Sequence, residues 1–271
     1  MGEDGPGGLA DLSHLATAQL RVERRGAVAI LTLDRPAKRN ALDDGLVLAL
    51  ERAARALPDD VRALVIAAEG PHFCAGLDLA ELTERDAPAG MLHSRMWHRA
   101  FAEIEFGRVP VVAALKGAVI GGGLELALAA HLRVAEESAF FALPEGQRGI
   151  FVGGGASVRL PRLIGASRMR DMMLTGRVHD AASAERLGIV HYVVAPGEGL
   201  ARAVALAERA AENAPLTNYA LIHALPRIAE ADPATGYLAE ALMTAVASSD
   251  GEAKRRLAEF LAGRAAKVER G

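Results

Sequence analysis

Cysteine is almost missing from this chain of 271 residues, which has only Cys74. A single thiol excludes an internal disulfide framework and a cysteine-built structural zinc site, and it fits a reducing compartment such as the cytoplasm. Aromatic residues make up only 4%, too sparse for the stacking platforms of a single-strand nucleic-acid binder. Lysine occurs only at positions 38, 116, 254 and 267, and the net charge is −3. That balance argues against a basic, phosphate-tracking surface and hence against a nucleic-acid partner. An uninterrupted apolar run is lacking too. The most apolar stretch, Val109 to Leu132, contains Lys116, three consecutive glycines and Glu125, all costly in the centre of a membrane span. The start, Met-Gly-Glu-Asp-Gly-Pro, has no basic region followed by an apolar one, and Pro6 stands where a myristoylation signal needs Ser or Thr. The expectation is a soluble, cytoplasmic protein with no membrane partner.

Hydrophobic residues are plentiful, at 51%, and the length suits one large domain plus an appendage. Residues 1–17 are glycine-rich without a sustained period and read as a leader. Leu20 to Arg24 and Ala27 to Leu33 read as two strands around Arg25-Gly26, followed by helical spacing from Asp43 to Leu57 and a buried strand from Val61 to Ala67. A helix over Met91 to Phe106, a strand Val111 to Leu115, a helix from Gly122 to about Ala130 and a strand His131 to Ala135 continue the alternation. Strands alternating with helices predict α/β layers over 18–199. From Leu200 onward only amphipathic helical spacing remains, so 200–271 reads as a helical C-terminal region.

The segment richest in chemistry is Gly117-Ala-Val-Ile-Gly121-Gly122-Gly123-Leu124-Glu125. A buried strand ends, three glycines follow, and an apolar helix begins. These glycines fit a tight packing turn, or they let a ligand approach backbone N–H groups at the positive end of a helix, where a developing oxyanion is stabilised. Glu125, one turn into that helix, is either a solvated carboxylate or one held in a cleft for proton transfer. A second turn, Phe73-Cys74-Ala75-Gly76-Leu77-Asp78, offers another N–H after Gly76. A third, Leu143-Pro144-Glu145-Gly146, places a second carboxylate twenty residues after Glu125. Outside His93 and His98 the histidines show no metal-ligand spacing, and no metal is expected.

Taken in order, these motifs resemble those of the crotonase (enoyl-CoA hydratase/isomerase) superfamily, over about residues 18–265. Leu33-Asp34-Arg35-Pro36-Ala37-Lys38-Arg39-Asn40-Ala41-Leu42 is similar to the family's Asn-Arg-Pro…Asn-Ala-Leu segment, with Asp34 in place of the first Asn. The Cys74–Asp78 loop and the Gly121–Glu125 turn resemble the two oxyanion-hole segments, with Leu77 and Gly122 as donors. Pro144-Glu145 is similar to the segment carrying the second catalytic carboxylate.

The resemblance implies a crotonase-like spiral of ββα turns with a helical C-terminal region for assembly into a homotrimer or a dimer of trimers. It implies a lyase acting on an acyl-CoA thioester, with Glu125 and Glu145 catalytic and Leu77 and Gly122 forming the oxyanion hole. Substrate contacts fall on Lys38, Cys74, Ala75, Asp78, Gly121 and His98, and no cofactor is implied beyond the coenzyme A of the substrate. With both glutamates present, hydration of a 2-enoyl-CoA is the leading reading. A double-bond isomerase and a catalytically idle acyl-CoA binder are the alternatives. Two further features depart from the family: Val152 replaces the usual Pro after the second glutamate, and Val268 replaces an aromatic near the end, beside Lys267. The neighbours Trp97 and His98 resemble a pair in the dehalogenase branch, where the His is a base. Here both glutamates remain, so His98 is expected to line the acyl pocket, while His93, five residues earlier, is expected on another, exposed helical side.

Overall fold

The computed structural model describes residues 10–78, 80 and 85–264. Lys267 and Val268 lie outside the described residues. β1 (Leu20–Arg25) pairs antiparallel with β2 (Val28–Leu33), Leu20 opposite Leu33, across a turn in which Gly26 takes φ +56°. β3 (Ala63–Ala68), β4 (Val111–Leu115), β6 (Leu132–Glu136) and β9 (Tyr192–Val194) continue this sheet in parallel, in the order β1-β2-β3-β4-β6-β9. A second sheet joins β5 (Ala118–Ile120), β7 (Phe140–Ala142) and the two-residue β8 (His179–Asp180).

β2, β3 and β4 are buried on both faces, as parallel strands covered by helices are, while the edge strand β1 alternates buried and exposed positions. Their alternation sorts side chains between two cores. Leu64 and Ile66 of β3, with Leu31 and Leu33 of β2, enter the larger core together with Leu46 and Leu50 of α1 (Asp44–Arg55) and Phe101 of α2 (Ala87–Glu105). Val65 of β3, Ile30 of β2 and Val112 of β4 point the opposite way, against Ala203, Val204 and Ala207 of α7 (Gly199–Ala211). Asp43 caps α1 by accepting from Leu46 N, and Asp86 caps α2 by accepting from Ala89 N, which satisfies N–H groups that lack intrahelical acceptors.

One sequence boundary moves. The predicted leader is cut short, because Leu12 is already buried in the larger core and Ser13–Leu15 form a 3-10 turn. The helical region does begin near residue 200, with α7 starting at Gly199, but its first helix packs with the sheet. Apolar residues on one face of α7 cover the sheet, so the chain divides at Ala211, and Glu212 onward forms the second unit. That unit contains a helical stretch over 215–230 with a π turn at Ala220–Ala224, then α10 (Pro233–Ser249) and α11 (Gly251–Leu261). Among the described residues, no helix is long and apolar enough to cross a membrane.

Candidate active site

The loop after β3 is threaded as an extra strand. Cys74 N donates to Ala118 O and Ile120 N donates to Cys74 O, laying the loop along β5. On its other side Leu42 N donates to Gly76 O at 2.8 Å and Asp78 N to Leu42 O at 2.7 Å. The Asp34-to-Leu42 motif braces this arrangement. Asn40, fully buried with φ 54°, accepts from Arg35 N and donates to the carbonyls of Glu69 and His72. Arg35 pairs with Asp78 at 2.7 Å and with Asp43 at 3.1 Å, and Lys38 meets Asp78 at 2.9 Å. The Asp78 carboxyl is lowered to about 2, first by the Lys38 hydrogen bond and then by a backbone donor and Arg35.

Within this frame only glycine fits at two places. Gly76 has φ +99°, and a Cβ there would stand 2.9 Å from Ile120 O. A Cβ on Gly123 would stand 2.4 Å from Cys74 O. This close approach brings Leu77 beside α3 (Gly122–Ala129), so that a Cβ on Gly122 would lie 3.6 Å from Leu77 N. Among the described residues neither Leu77 N nor Gly122 N donates to a protein acceptor. Gly122 N is one of the orphan donors of a helix start, and Leu77 and Gly122 line one cleft. Trp97 of α2 forms the floor there, its ring 3.0 Å from where a Gly122 Cβ would be.

Glu125 and Glu145 share this cleft, which measures about 170 Å³. Glu125 is buried, and its Oε1 accepts from Gly154 N at 2.8 Å and Ala156 N at 3.0 Å. Burial raises its pKa, against the lowering effect of those two donors. The glycine loop supplying them is anchored from outside. Ser94 Oγ donates to Gly153 O, and Arg159 donates to Gly154 O while holding Glu105 at 2.6 Å. Glu145 follows β7 on a 3-10 turn, and its Oε1 would stand 2.5 Å from a Cβ on Gly121. Its Oε2 is buried with no hydrogen-bond partner among the described residues. Burial, followed by the neighbouring Glu125 charge, pushes the Glu145 carboxyl up to about 7.

The sequence-predicted residues divide into two sets. Ala75, Leu77, Gly121, Gly122, Glu125 and Glu145 line the cleft. Lys38, Cys74 and Asp78 are not among the residues lining it: Lys38 and Asp78 pair with each other, and the fully buried Cys74 thiol is pushed up to about 12 by burial. The two histidines exchange places. His93 lines the cleft with Gly90, Ser94 and Trp97, one face of α2 at helical spacing. His98 lies off that face, beside Ser94 at 3.4 Å, lowered in pKa by burial and by Arg95 and Arg159. Sequence reasoning also missed Arg148 on the wall. The spacing of His93 and Trp97, four residues apart, was the signal available for α2.

The model of the enoyl-CoA hydratase/isomerase family matches residues 23–269. The chain belongs to that family. Among the enoyl-CoA hydratase/isomerase relatives, the enoyl-CoA hydratase EchA19 of Mycobacterium tuberculosis is 34% identical over 75% of this chain and 79% of its own length. A crystal structure from Rhodopseudomonas palustris CGA009 is 57% identical, covers 97% of this chain and 100% of its own, and superposes with a TM-score of 0.89. The enoyl-CoA hydratase of Bacillus anthracis is 29% identical at a TM-score of 0.85, covering 91% of this chain and 97% of that one. These matches fix the crotonase fold and a family that acts on acyl-CoA substrates.

Proposed function

We propose that this protein is an enoyl-CoA hydratase, adding water across the 2,3 double bond of a 2-enoyl-CoA thioester. The observation that carries the reading is the convergence of four groups on one cleft: the free N–H groups of Leu77 and Gly122, and the carboxyls of Glu125 and Glu145. The two N–H groups hold the thioester oxygen and gain strength as negative charge collects on it. Glu125, whose Oε1 is tied by two amides, is the carboxylate that takes a proton from water as the hydroxyl bonds to Cβ. Glu145, raised in pKa and without a donor on Oε2, holds the proton delivered to Cα. The proton gained by Glu125 and the one lost by Glu145 balance through solvent exchange before the next turnover. No cofactor is required beyond the coenzyme A that the substrate carries.

We assign the second unit to self-association into a trimer or a dimer of trimers. It exposes Leu238, Leu242 and Val246 along one line of α10, and Leu257, Phe260 and Leu261 on α11, apolar area that a lone chain leaves in water. Light scattering at micromolar concentration tests this, and a monomer would refute it. The activity is tested by supplying a 2-enoyl-CoA and a 3-enoyl-CoA and following the conjugated-thioester absorbance. A hydratase consumes the band of the first, an isomerase creates the band from the second, and an idle binder does neither.

A further inference from the structure

One short segment, 42–44, reaches both of the backbone donors assigned to the thioester oxygen. Leu42 lies along the Cys74 loop, donating from its N to Gly76 O at 2.8 Å and accepting from Asp78 N at 2.7 Å, so it fixes the backbone on either side of Leu77. Two residues later Asp44 opens α1 and reaches across to α2. Its Oδ1 accepts from Trp97 Nε1 at 3.2 Å and from His93 Nε2 at 2.7 Å. Asp43, between them, is engaged locally, capping α1 at Leu46 N and pairing with Arg35. A carboxylate only accepts, and negative charge is favoured in the first turn of a helix, so aspartate suits the place Asp44 holds.

The packing of α1 with α2 does not depend on this contact. Leu46, Leu50, Phe101 and Ile104 share the larger core, and further along the helices Arg99 meets Glu51 at 3.0 Å and Arg55 meets Glu103 at 2.7 Å. What Asp44 adds is a fixed position for the Trp97 ring. Two carbons of that ring stand 3.0 Å and 3.3 Å from where a Gly122 Cβ would be, and Leu77 N stands 3.6 Å from the same point. A ring free to rock there changes the gap in which a thioester oxygen meets both N–H groups, and a misplacement of about 1 Å costs about 10²-fold in rate. Resting on the hydratase reading above, we propose that Asp44 is a positioning residue for the oxyanion hole, acting through Trp97: it holds the indole against Gly122 while Leu42, on the same segment, holds the backbone around Leu77. His93, the second donor to the same oxygen, keeps the Asp44 carboxylate turned toward α2.

The test combines steady-state kinetics on a 2-enoyl-CoA with intrinsic fluorescence of the full chain. Trp97 is the only tryptophan, so the emission reports its surroundings directly. Asp44→Ala should lower kcat about 10- to 100-fold with KM little changed, and should move the Trp97 emission maximum. Asp44→Asn keeps an oxygen acceptor and should restore most of kcat together with the wild-type emission. Arg55→Gln, which breaks an ion pair of the same two helices away from Trp97, should change neither. Trp97→Phe removes the tethered N–H, so adding Asp44→Ala to it should lower kcat little further. Wild-type kcat or unmoved emission in Asp44→Ala overturns the proposal, as does a loss confined to KM. So does an Asp44→Asn as impaired as Asp44→Ala, or the full effect of Asp44→Ala recurring in the Trp97→Phe background. Should Asp44→Ala fail to fold, Trp97→Phe decides alone, and full-rate turnover by it overturns the proposal. A wild type that hydrates no enoyl-CoA defeats the hydratase reading and this proposal together, whereas wild-type turnover with an unimpaired Asp44→Ala defeats this proposal only.

Discussion

Replacing Gly122 by alanine should abolish catalysis while leaving the fold in place. The added Cβ would stand 3.0 Å and 3.3 Å from two carbons of the Trp97 ring and 3.6 Å from Leu77 N. Trp97 cannot yield freely. It is buried, its Nε1 is tied to Asp44, and its ring packs edge-on against Phe101 at 5.6 Å. The methyl would therefore stand between the two proposed oxyanion donors and push the thioester oxygen off them. Loss of one such donor costs roughly 10²- to 10³-fold in kcat, so a fall of about 10³-fold or more is expected with both displaced. The overpacking itself costs about 1–3 kcal/mol of stability, which thermal unfolding registers as a modest drop in Tm. A useful contrast is Gly123→Ala, whose Cβ would meet Cys74 O at 2.4 Å; backbone cannot give way there, and that variant should fail to fold. If Gly122→Ala folds and turns over within tenfold of wild type, the thioester oxygen does not sit between Leu77 N and Gly122 N.

Other outcomes follow from the same geometry. Because the folded-state pKa of Glu145 is raised to about 7 from 4.5, the folded form holds its proton longer than the unfolded one. Stability should fall as pH rises from about 4.5 to 7, and the slope of Tm against pH should flatten in Glu145→Gln. Arg159→Met removes the donor to Gly154 O and frees Glu105. With the glycine loop loosened, kcat should drop about 10- to 100-fold, and the kcat pH profile should shift with it, while Arg159→Lys recovers part of the rate; an unmoved profile would leave Arg159 a purely structural residue. His98→Ala should leave the relative kcat/KM for short and long enoyl thioesters unchanged between pH 5 and 9, since His98 lies off the cleft wall; a changed acyl preference would put it back on that wall.

Much of this was readable in the residues, and the reasons differ by element. The strands β2, β3 and β4 were legible because each is a short, nearly continuous apolar run, and β1 because Leu20 and Val22 alternate with charged residues before the turn at Gly26. The glycines 121–123 and the carboxylates 125 and 145 were legible as types, but their convergence depends on the Cys74 loop lying along β5, a long-range pairing that local periodicity does not encode. β5, β7 and β8, with three residues or fewer in each, leave no pattern to detect. The neighbours Trp97 and His98 drew attention as a pair, yet adjacent helical residues diverge by about 100°. His93, one turn before Trp97, therefore shares its face and His98 does not. The division between compact units was not legible, because amphipathic spacing reports that a helix has an apolar face without reporting what covers it; α7 covers the sheet.

The central claim is that Glu125, Glu145 and the two backbone N–H groups move a water molecule onto Cβ. The most direct measurement is turnover of a 2-enoyl-CoA in isotopically labelled water, with the product thioester weighed by mass spectrometry. The account predicts a 3-hydroxyacyl-CoA carrying one solvent oxygen from the wild type, and a rate lower by roughly 10²- to 10⁴-fold in both Glu125→Gln and Glu145→Gln. Unlabelled product, or full-rate labelling in either variant, would contradict it.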